Sequence, residues 1–299
     1  MRIDSLSSFN YNRPQYSPKP RVSFGAYYDS TLYGKSIENL GDGVLYKSCN
    51  IHNYSTLIRS TELFLELPKV LEEKFPNGAK IYNYACSAGY EPTSLALSLH
   101  NYFPEEKAKK YLPIIARDNN SKIIAEAQKY TLKLEQSELN RLKFFENINE
   151  EDFFTVGKIR NRYGEKIYKL NDKLKNEIKF EEGDLFKDLD SGELSKEPCV
   201  ILFRNAWQFL TKDGVETLSK KLYENLKPGS LVIIGAMDVP MEYYSSPNAN
   251  IPLKKAGFKN LNDKYSIDFN DKDLKKKYIY LKKDNFEFIP DVQKYCYEK

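Results

Sequence analysis

Apolar positions in this chain follow two alternating rhythms from about residue 80 onward: short unbroken runs, then longer segments with helical spacing. Ile81-Tyr-Asn-Tyr84 opens the series as a strand. A turn of small residues follows, with Ala85, Ser87 and Gly89 at alternate positions, and of the three only Gly89 takes a positive φ without strain. Leu95, Ala96 and Leu99 then share one face of a helix starting near Pro92 and Thr93, where proline's missing N–H costs nothing. Leu112 to Asp118 is a second buried strand, with a helix over Ser121 to Lys133. Further strands are predicted over Ile178–Phe180, Cys199–Phe203, Ser230–Gly235 and Tyr278–Leu281. Cys199–Phe203, a continuous apolar run, has the pattern of a strand buried on both faces. Val215 to Leu226 is amphipathic and ends in the stop signal Lys227-Pro228-Gly229, and Pro247 to Gly257 is a short helix. Ahead of the series, Ser55 to Phe75 has helical spacing with Ser55 as its N-cap, and Pro68 is expected to kink or split it. Residues 134–175 are polar and aromatic and break the alternation. Strands alternating with helices predict an α/β fold whose mainly parallel sheet is covered on both faces.

In such a sheet a ligand binds beyond the carboxyl ends of the strands, where the connections switch direction. Gly89, Asp118, Asp184 and Asn205 all fall at such ends. A strand, a small-residue turn and a helix N-terminus form the unit that cradles a nucleotide-like ligand. Asp118 is placed either to accept ribose hydroxyls or to cap the helix after it, and Asp184 either to face an adenine amino group or to shape a turn. With no Walker lysine and no long glycine loop, a cofactor without a triphosphate suits the turn better.

Composition narrows this picture. The 299 residues carry a formal charge of +4, with lysines spread among acidic residues, so neither nucleic acid nor a membrane surface is favoured. No apolar run approaches the roughly 20 residues that a membrane helix requires. The N-terminus shows no hydrophobic signal segment. Cys49, Cys86, Cys199 and Cys296 are widely spaced and read as thiols of a reducing compartment, so a cytoplasmic location is expected. His52 and His100 are the only histidines, which leaves little material for imidazole catalysis or a metal site. Residues 1–35, rich in Ser, Asn, Tyr and Pro, are expected to be a disordered or loosely docked tail.

The motifs, taken together, resemble those of the chemotaxis receptor methyltransferases of the CheR type. Ser87-Ala-Gly-Tyr-Glu-Pro-Thr-Ser-Leu-Ala96 is similar to their Ser-Thr-Gly-Glu-Glu-Pro-Tyr-Ser-Leu-Ala. Phe203-Arg-Asn-Ala-Trp-Gln-Phe-Leu210 is similar to Cys-Arg-Asn-Val-x-Ile-Tyr-Phe, and Leu226-Lys-Pro-Gly-Ser-Leu-Val-Ile-Ile-Gly235 to Leu-Lys-Pro-Gly-Gly-x-Leu-x-Leu-Gly. Asn53-Tyr-Ser-Thr-Leu-Ile-Arg59, Ala116-Arg-Asp118 and Glu182-Gly-Asp184-Leu185 stand where the family has Asn-x-Thr-x-Phe-Phe-Arg, Ala-Thr-Asp and Asn-Leu-Leu. The resemblance implies a class I, Rossmann-like, seven-stranded methyltransferase sheet over residues 79–285, binding S-adenosylmethionine. A short helical segment (36–78) would precede it, an insert (134–175) would serve for docking, and a tail (286–299) would follow.

Carried over residue by residue, Asn53, Ser55, Arg59, Ala85, Ser87, Gly89, Glu91, Asp118, Asn119, Asp184, Leu185 and Asn205 would hold the cofactor. Arg59, Arg204 and Asn205, with Phe209, would line the transfer pocket; the alternatives are a helix-surface ion pair for Arg59 and a strand-end cap for Arg204, and the motif context favours the pocket. The implied substrate is a protein glutamate carboxylate, as in chemotaxis. Alternatives are an S-adenosylmethionine-binding signalling module and a small-molecule methyltransferase. Tyr90, Arg117, Asp184, Phe209 and Asp238 depart from the family's residues.

Overall fold

A computed structural model describes residues 45, 55–160, 166–235, 238, 249–260 and 296–298. The expected tail over 1–35, Asn53 and the expected strand at Tyr278–Leu281 lie outside the described residues.

The first described helix, α1, spans Thr61–Lys74 and is followed by β1, Lys80–Tyr84. Next come α2 (Tyr90–Tyr102), α3 (Glu105–Ala108), β2 (Ile114–Asp118) and α4 (Ser121–Ala127). A small unit intervenes: β3 (Thr131–Leu134), α5 (Gln136–Leu142), α6 (Glu150–Phe153), β4 (Phe154–Arg160) and β5 (Lys166–Leu170). The alternation resumes with α7 (Asp172–Glu177), β6 (Ile178–Glu182), α8 (Leu185–Asp190), β7 (Cys199–Phe203), α9 (Lys212–Asn225) and β8 (Leu231–Ile233). The series closes with α10 (Asn250–Ala256), β9 (Lys259–Asn260) and β10 (Cys296–Glu298).

The main sheet has seven strands in the order β6-β2-β1-β7-β8-β10-β9. Five are parallel, and β10 lies antiparallel between β8 and β9. This is the doubly wound arrangement that the resemblance implies, with its switch point between β1 and β7. Period-two alternation sends Ile81, Ala116, Phe180, Val200, Leu202 and Ile233 into one core, shared with α1, α2 and the small unit. Tyr82, Tyr84, Ile201, Phe203 and Val232 enter a second core with α8, α9 and α10.

The structure departs from the sequence expectations in several places. Ser55 is not a helix cap: α1 starts six residues later, at Thr61, and residues 57–60 form a turn with positive φ at Ile58 (53°) and Ser60 (63°). Pro68 does not split α1. A proline there removes the donor for the Phe64 carbonyl, and the Ser98 hydroxyl of α2 donates to that carbonyl instead. The helix predicted to run to Lys133 ends at Ala127, because Thr131–Leu134 pairs antiparallel with β5 to begin the three-stranded sheet β3-β5-β4. The stretch taken as a C-terminal tail contributes β10 to the main sheet through Cys296–Glu298. Three residues of mixed character carry no readable period, which is why the sequence hid them.

Candidate functional site

The carboxyl ends of the five parallel strands deliver the loops after Tyr84, Asp118, Glu182, Phe203 and Ile233 to one edge of the sheet. The turn after β1 is bent hard. Ala85, Ser87 and Gly89 have φ of 53°, 51° and 91°, so the alternation of small residues marks an alternation of left-handed backbone. A β-carbon on Gly89 would lie 2.6 Å from the Phe180 ring, so this position is closed to side chains as well as strained for them. Non-glycine residues in left-handed conformations cost on the order of 1–3 kcal/mol each, and they gather where surrounding structure over-determines them, commonly at ligand sites.

Asp118 supplies part of that determination. Its carboxylate accepts the Ser87 N–H (3.1 Å) and the Asn120 N–H (3.1 Å), tying the β1 turn to the β2 turn. Burial raises its pKa, and those two backbone donors oppose the rise. The cap of α4 is Asn120, whose side chain accepts from the Lys122 N–H. Asn119 lies half-buried between the two. Asp184 caps α8 by accepting the N–H groups of Phe186 and Lys187, which is the turn role left open above, and Leu185 is buried in the second core.

Across the switch point, the Arg204 guanidinium pairs with Glu91 at 2.5 Å and donates to the Ser60 hydroxyl at 3.0 Å. The Arg204 side chain is 1% exposed and its guanidinium stands over the Phe64 ring. Glu91 also accepts from the Asn83 amide, at 2.8 Å. Arg204 is thus a buried brace joining α2, the end of β7 and the turn before α1. Asn205, at φ 57°, is fixed by its N–H to Asp238, 2.6 Å away. Asp238 is fully buried and also accepts from Gly235 and Trp207; burial pushes its pKa up to about 7. Phe209 ends a short 3-10 helix over Trp207–Phe209 and packs, partly buried, against the second core. Arg59 is half-buried in the turn, Ser55 half-buried before it, and Ala85 exposed. Asn53 lies outside the described residues.

Arg117, where the family has threonine, points to the opposite face. It reaches Glu181 (2.9 Å), Asp188 (2.9 Å) and Glu193 (2.8 Å), a brace between β2, β6 and α8 on the side of the second core. Cys86 is fully buried and its thiol pKa is driven well above its ordinary value by burial, so it is no nucleophile.

Among the described residues, three buried side-chain polar atoms find no protein partner: Asn83 Oδ1, Ser87 Oγ and Arg204 Nε. Buried polar atoms in native proteins are almost always satisfied. These three belong to the ends of β1 and β7 and the turn between β1 and α2, the two sides of the switch point. A ligand with several polar groups and no bulky phosphate chain suits such a set.

The family description of a CheR methyltransferase, S-adenosylmethionine-binding domain matches residues 53–245. The chain belongs to the CheR methyltransferase family. Its cofactor is S-adenosylmethionine, and the orphaned atoms and bent turn of this CheR domain fit a compact cofactor with an amino-acid end and a ribose. No curated protein matches the chain by sequence. Solved structures similar to it include a TehB-like S-adenosylmethionine-dependent methyltransferase from Corynebacterium glutamicum, 15% identical, with TM-score 0.33 over 64% of this chain and 72% of that one. Another is the magnesium protoporphyrin IX methyltransferase of Synechocystis PCC 6803 with S-adenosylmethionine bound, 11% identical, TM-score 0.34, over 67% and 69%. A third is an O-methyltransferase family protein from Burkholderia thailandensis, 10% identical, TM-score 0.35, over 64% and 50%.

Sequence reasoning overlooked Ser60, as the acceptor that holds Arg204, and treated Asp238 only as a departure from the family. An acidic residue three positions beyond Gly235, close after a buried strand, was the available signal for the second. Ser60 left none, since its role depends on a turn that the helical pattern masked.

Proposed function

We propose that this CheR-family methyltransferase O-methylates a glutamate carboxylate on a protein partner. S-adenosylmethionine, when bound, supplies an electrophilic methyl group on a sulfonium. The chain's own residues bind it, orient the acceptor and exclude water. Ser87, Asn83 and the strained turn would take the amino-acid end, and Asp118, which retains lone pairs beyond its two backbone donors, would accept ribose hydroxyls. Asn53, Ser55, Glu91, Asn119, Asp184, Leu185 and Asn205 would complete the enclosure.

The observation that carries the reading is the turn at 57–60. Through the Ser60–Arg204 bond this turn lies against the end of β7, and Arg59, half-buried, is the residue next to that serine. A guanidinium at that place can orient a carboxylate in a bidentate pair. A carboxylate, with an ordinary pKa of about 4.3, is ionised at neutral pH and requires no general base. The described histidine, His100, is committed to Glu177 at 2.9 Å, and so offers no imidazole to the crevice. Proximity and dehydration then carry the rate. Arg204, spent on Glu91 and Ser60, positions the pocket instead of gripping the acceptor. Phe209 adds an aromatic face without a donor.

The test is transfer of tritiated methyl groups to total protein from the source cell. A carboxyl ester releases its label as volatile methanol in mild base. Base-stable label on protein, or label only on small molecules, would sink the glutamate assignment while leaving the methyltransferase in place. Phe209→Tyr should leave cofactor binding unchanged and raise transfer. Lost binding in that variant would place the ring in the core and outside the pocket.

A further inference from the structure

The turn at 57–60 is costly to hold. Ile58 is β-branched and sits at φ 53°, and Ser60 follows at 63°. Such a turn persists only if its neighbours over-determine it. Part of the determination comes from α2, where the Ser94 hydroxyl accepts the Ile58 N–H at 2.7 Å. The rest comes from the small unit inserted between α4 and α7. On α5, Glu138 Oε1 accepts the Leu57 N–H at 2.8 Å, while Arg141 donates to the Leu57 carbonyl at 2.8 Å and to the Thr56 hydroxyl at 3.0 Å. Both backbone polar groups of one residue are therefore gripped by side chains more than eighty positions away.

The grip is buried. Glu138 is 4% exposed, Arg141 9% and Leu57 fully enclosed. The other Glu138 oxygen accepts the Glu135 N–H at 2.8 Å, closing a capping box that fixes α5 itself. The strand before α5 is anchored in the same way: the Tyr90 hydroxyl, beside Gly89 and Glu91, bonds both the N–H and the carbonyl of Lys133. Burying a carboxylate and a guanidinium is a poor way to gain stability, since an apolar contact of equal size would do as well. What the arrangement gives is direction.

We propose that Glu138 and Arg141 are positioning residues for the transfer pocket: by clasping Leu57 they hold the left-handed turn that sets Arg59 and presents Ser60 to Arg204. The inserted unit is then mechanically continuous with the site, and a displacement of α5 reaches Arg59 and Arg204 through the 57–60 turn. The proposal rests on the transferase reading above, so its test includes a measurement on the free protein.

The full chain is compared with Arg141→Met and Arg141→Lys, with Glu138→Gln as an isosteric second lesion should the methionine form fail to fold. Amide hydrogen exchange over residues 55–60 is measured without ligand, and S-adenosylhomocysteine affinity by calorimetry. Arg141→Met should speed exchange at 55–60 at least about tenfold while β1 and β7 stay protected. It should weaken S-adenosylhomocysteine binding by about tenfold, with lysine restoring most of the loss. Unchanged exchange at 55–60 would overturn the clasp. Faster exchange there with parental affinity and parental transfer would overturn the positioning role, and so would acceleration spread evenly over the sheet. A parent chain that fails to bind S-adenosylhomocysteine at all would sink the transferase reading itself, and the positioning role with it, whatever exchange reports.

Discussion

The Arg204–Glu91 pair offers the sharpest energetic test of the site. Arg204→Met keeps an unbranched stem but removes the guanidinium that stands over Phe64, and leaves the Glu91 carboxylate with the Asn83 amide as its remaining donor among the bonds described. Breaking a buried ion pair by removing one partner costs roughly 3–5 kcal/mol. Glu91 keeps 14% of its side chain exposed, against 1% for Arg204, so water offsets part of the penalty and about 2–4 kcal/mol is expected. For a domain of this size that is a drop of roughly 5–15 °C in melting temperature. Glu91→Gln should cost a similar amount, because it strands a guanidinium whose Nε already lacks a protein partner. The double variant, with neither charge, should recover about 2 kcal/mol of the summed losses. The assay is urea unfolding of the four proteins, read at midpoints with unchanged slopes. A coupling below about 0.5 kcal/mol would mean the 2.5 Å contact contributes nothing in solution and Arg204 is no brace.

Three further outcomes follow from other parts of the fold. Asp118→Asn should weaken S-adenosylhomocysteine binding by about 10–100-fold through loss of a charged acceptor, as judged by calorimetry, and parental affinity would reduce Asp118 to a link between two turns. Glu62, Glu138 and Asp238 all have pKa values pushed up to about 7 by burial. The folded state therefore holds more protons than the unfolded state between about pH 4 and 7, and these groups make stability fall as pH rises through that window, by on the order of 1–3 kcal/mol each. Urea midpoints at pH 5 and 7.5 should show the decline, and Glu138→Gln should flatten it; a midpoint that climbs across the window would contradict the assignment. Ser98→Ala should cost about 1 kcal/mol by leaving the Phe64 carbonyl without its donor, and adding Pro68→Ala, which restores the helical N–H, should recover that loss in melting temperature.

Much of this architecture was legible because it rests on patterns of short range. Cys199–Phe203 is apolar throughout since the strand is buried on both faces, and it appears in the structure with those bounds. The small residues Ala85, Ser87 and Gly89 located the crevice, although the sequence granted a positive φ only to the glycine, whereas all three adopt one. The other two are held there by long-range bonds such as Asp118 to Ser87, which local propensity cannot reveal. The same holds for the turn at 57–60: its residues suit a helix, and tertiary partners at Ser94, Glu138 and Arg141 override that preference. Arg204 stood out in the sequence as a pocket residue or a strand-end cap, and the brace was hidden because its acceptors Ser60 and Glu91 lie far from it in sequence.

The central claim is that the orphaned polar atoms Asn83 Oδ1, Ser87 Oγ and Arg204 Nε belong to an S-adenosylmethionine site at the β1–β7 switch point. Calorimetric titration of the full chain with S-adenosylmethionine tests it most directly, repeated with Ser87→Ala and with Val156→Ser, a change on an exposed strand of the inserted unit. Saturable one-to-one binding is predicted, weakened by Ser87→Ala and untouched by Val156→Ser. No binding by the parent, or equal binding by all three proteins, would contradict the account.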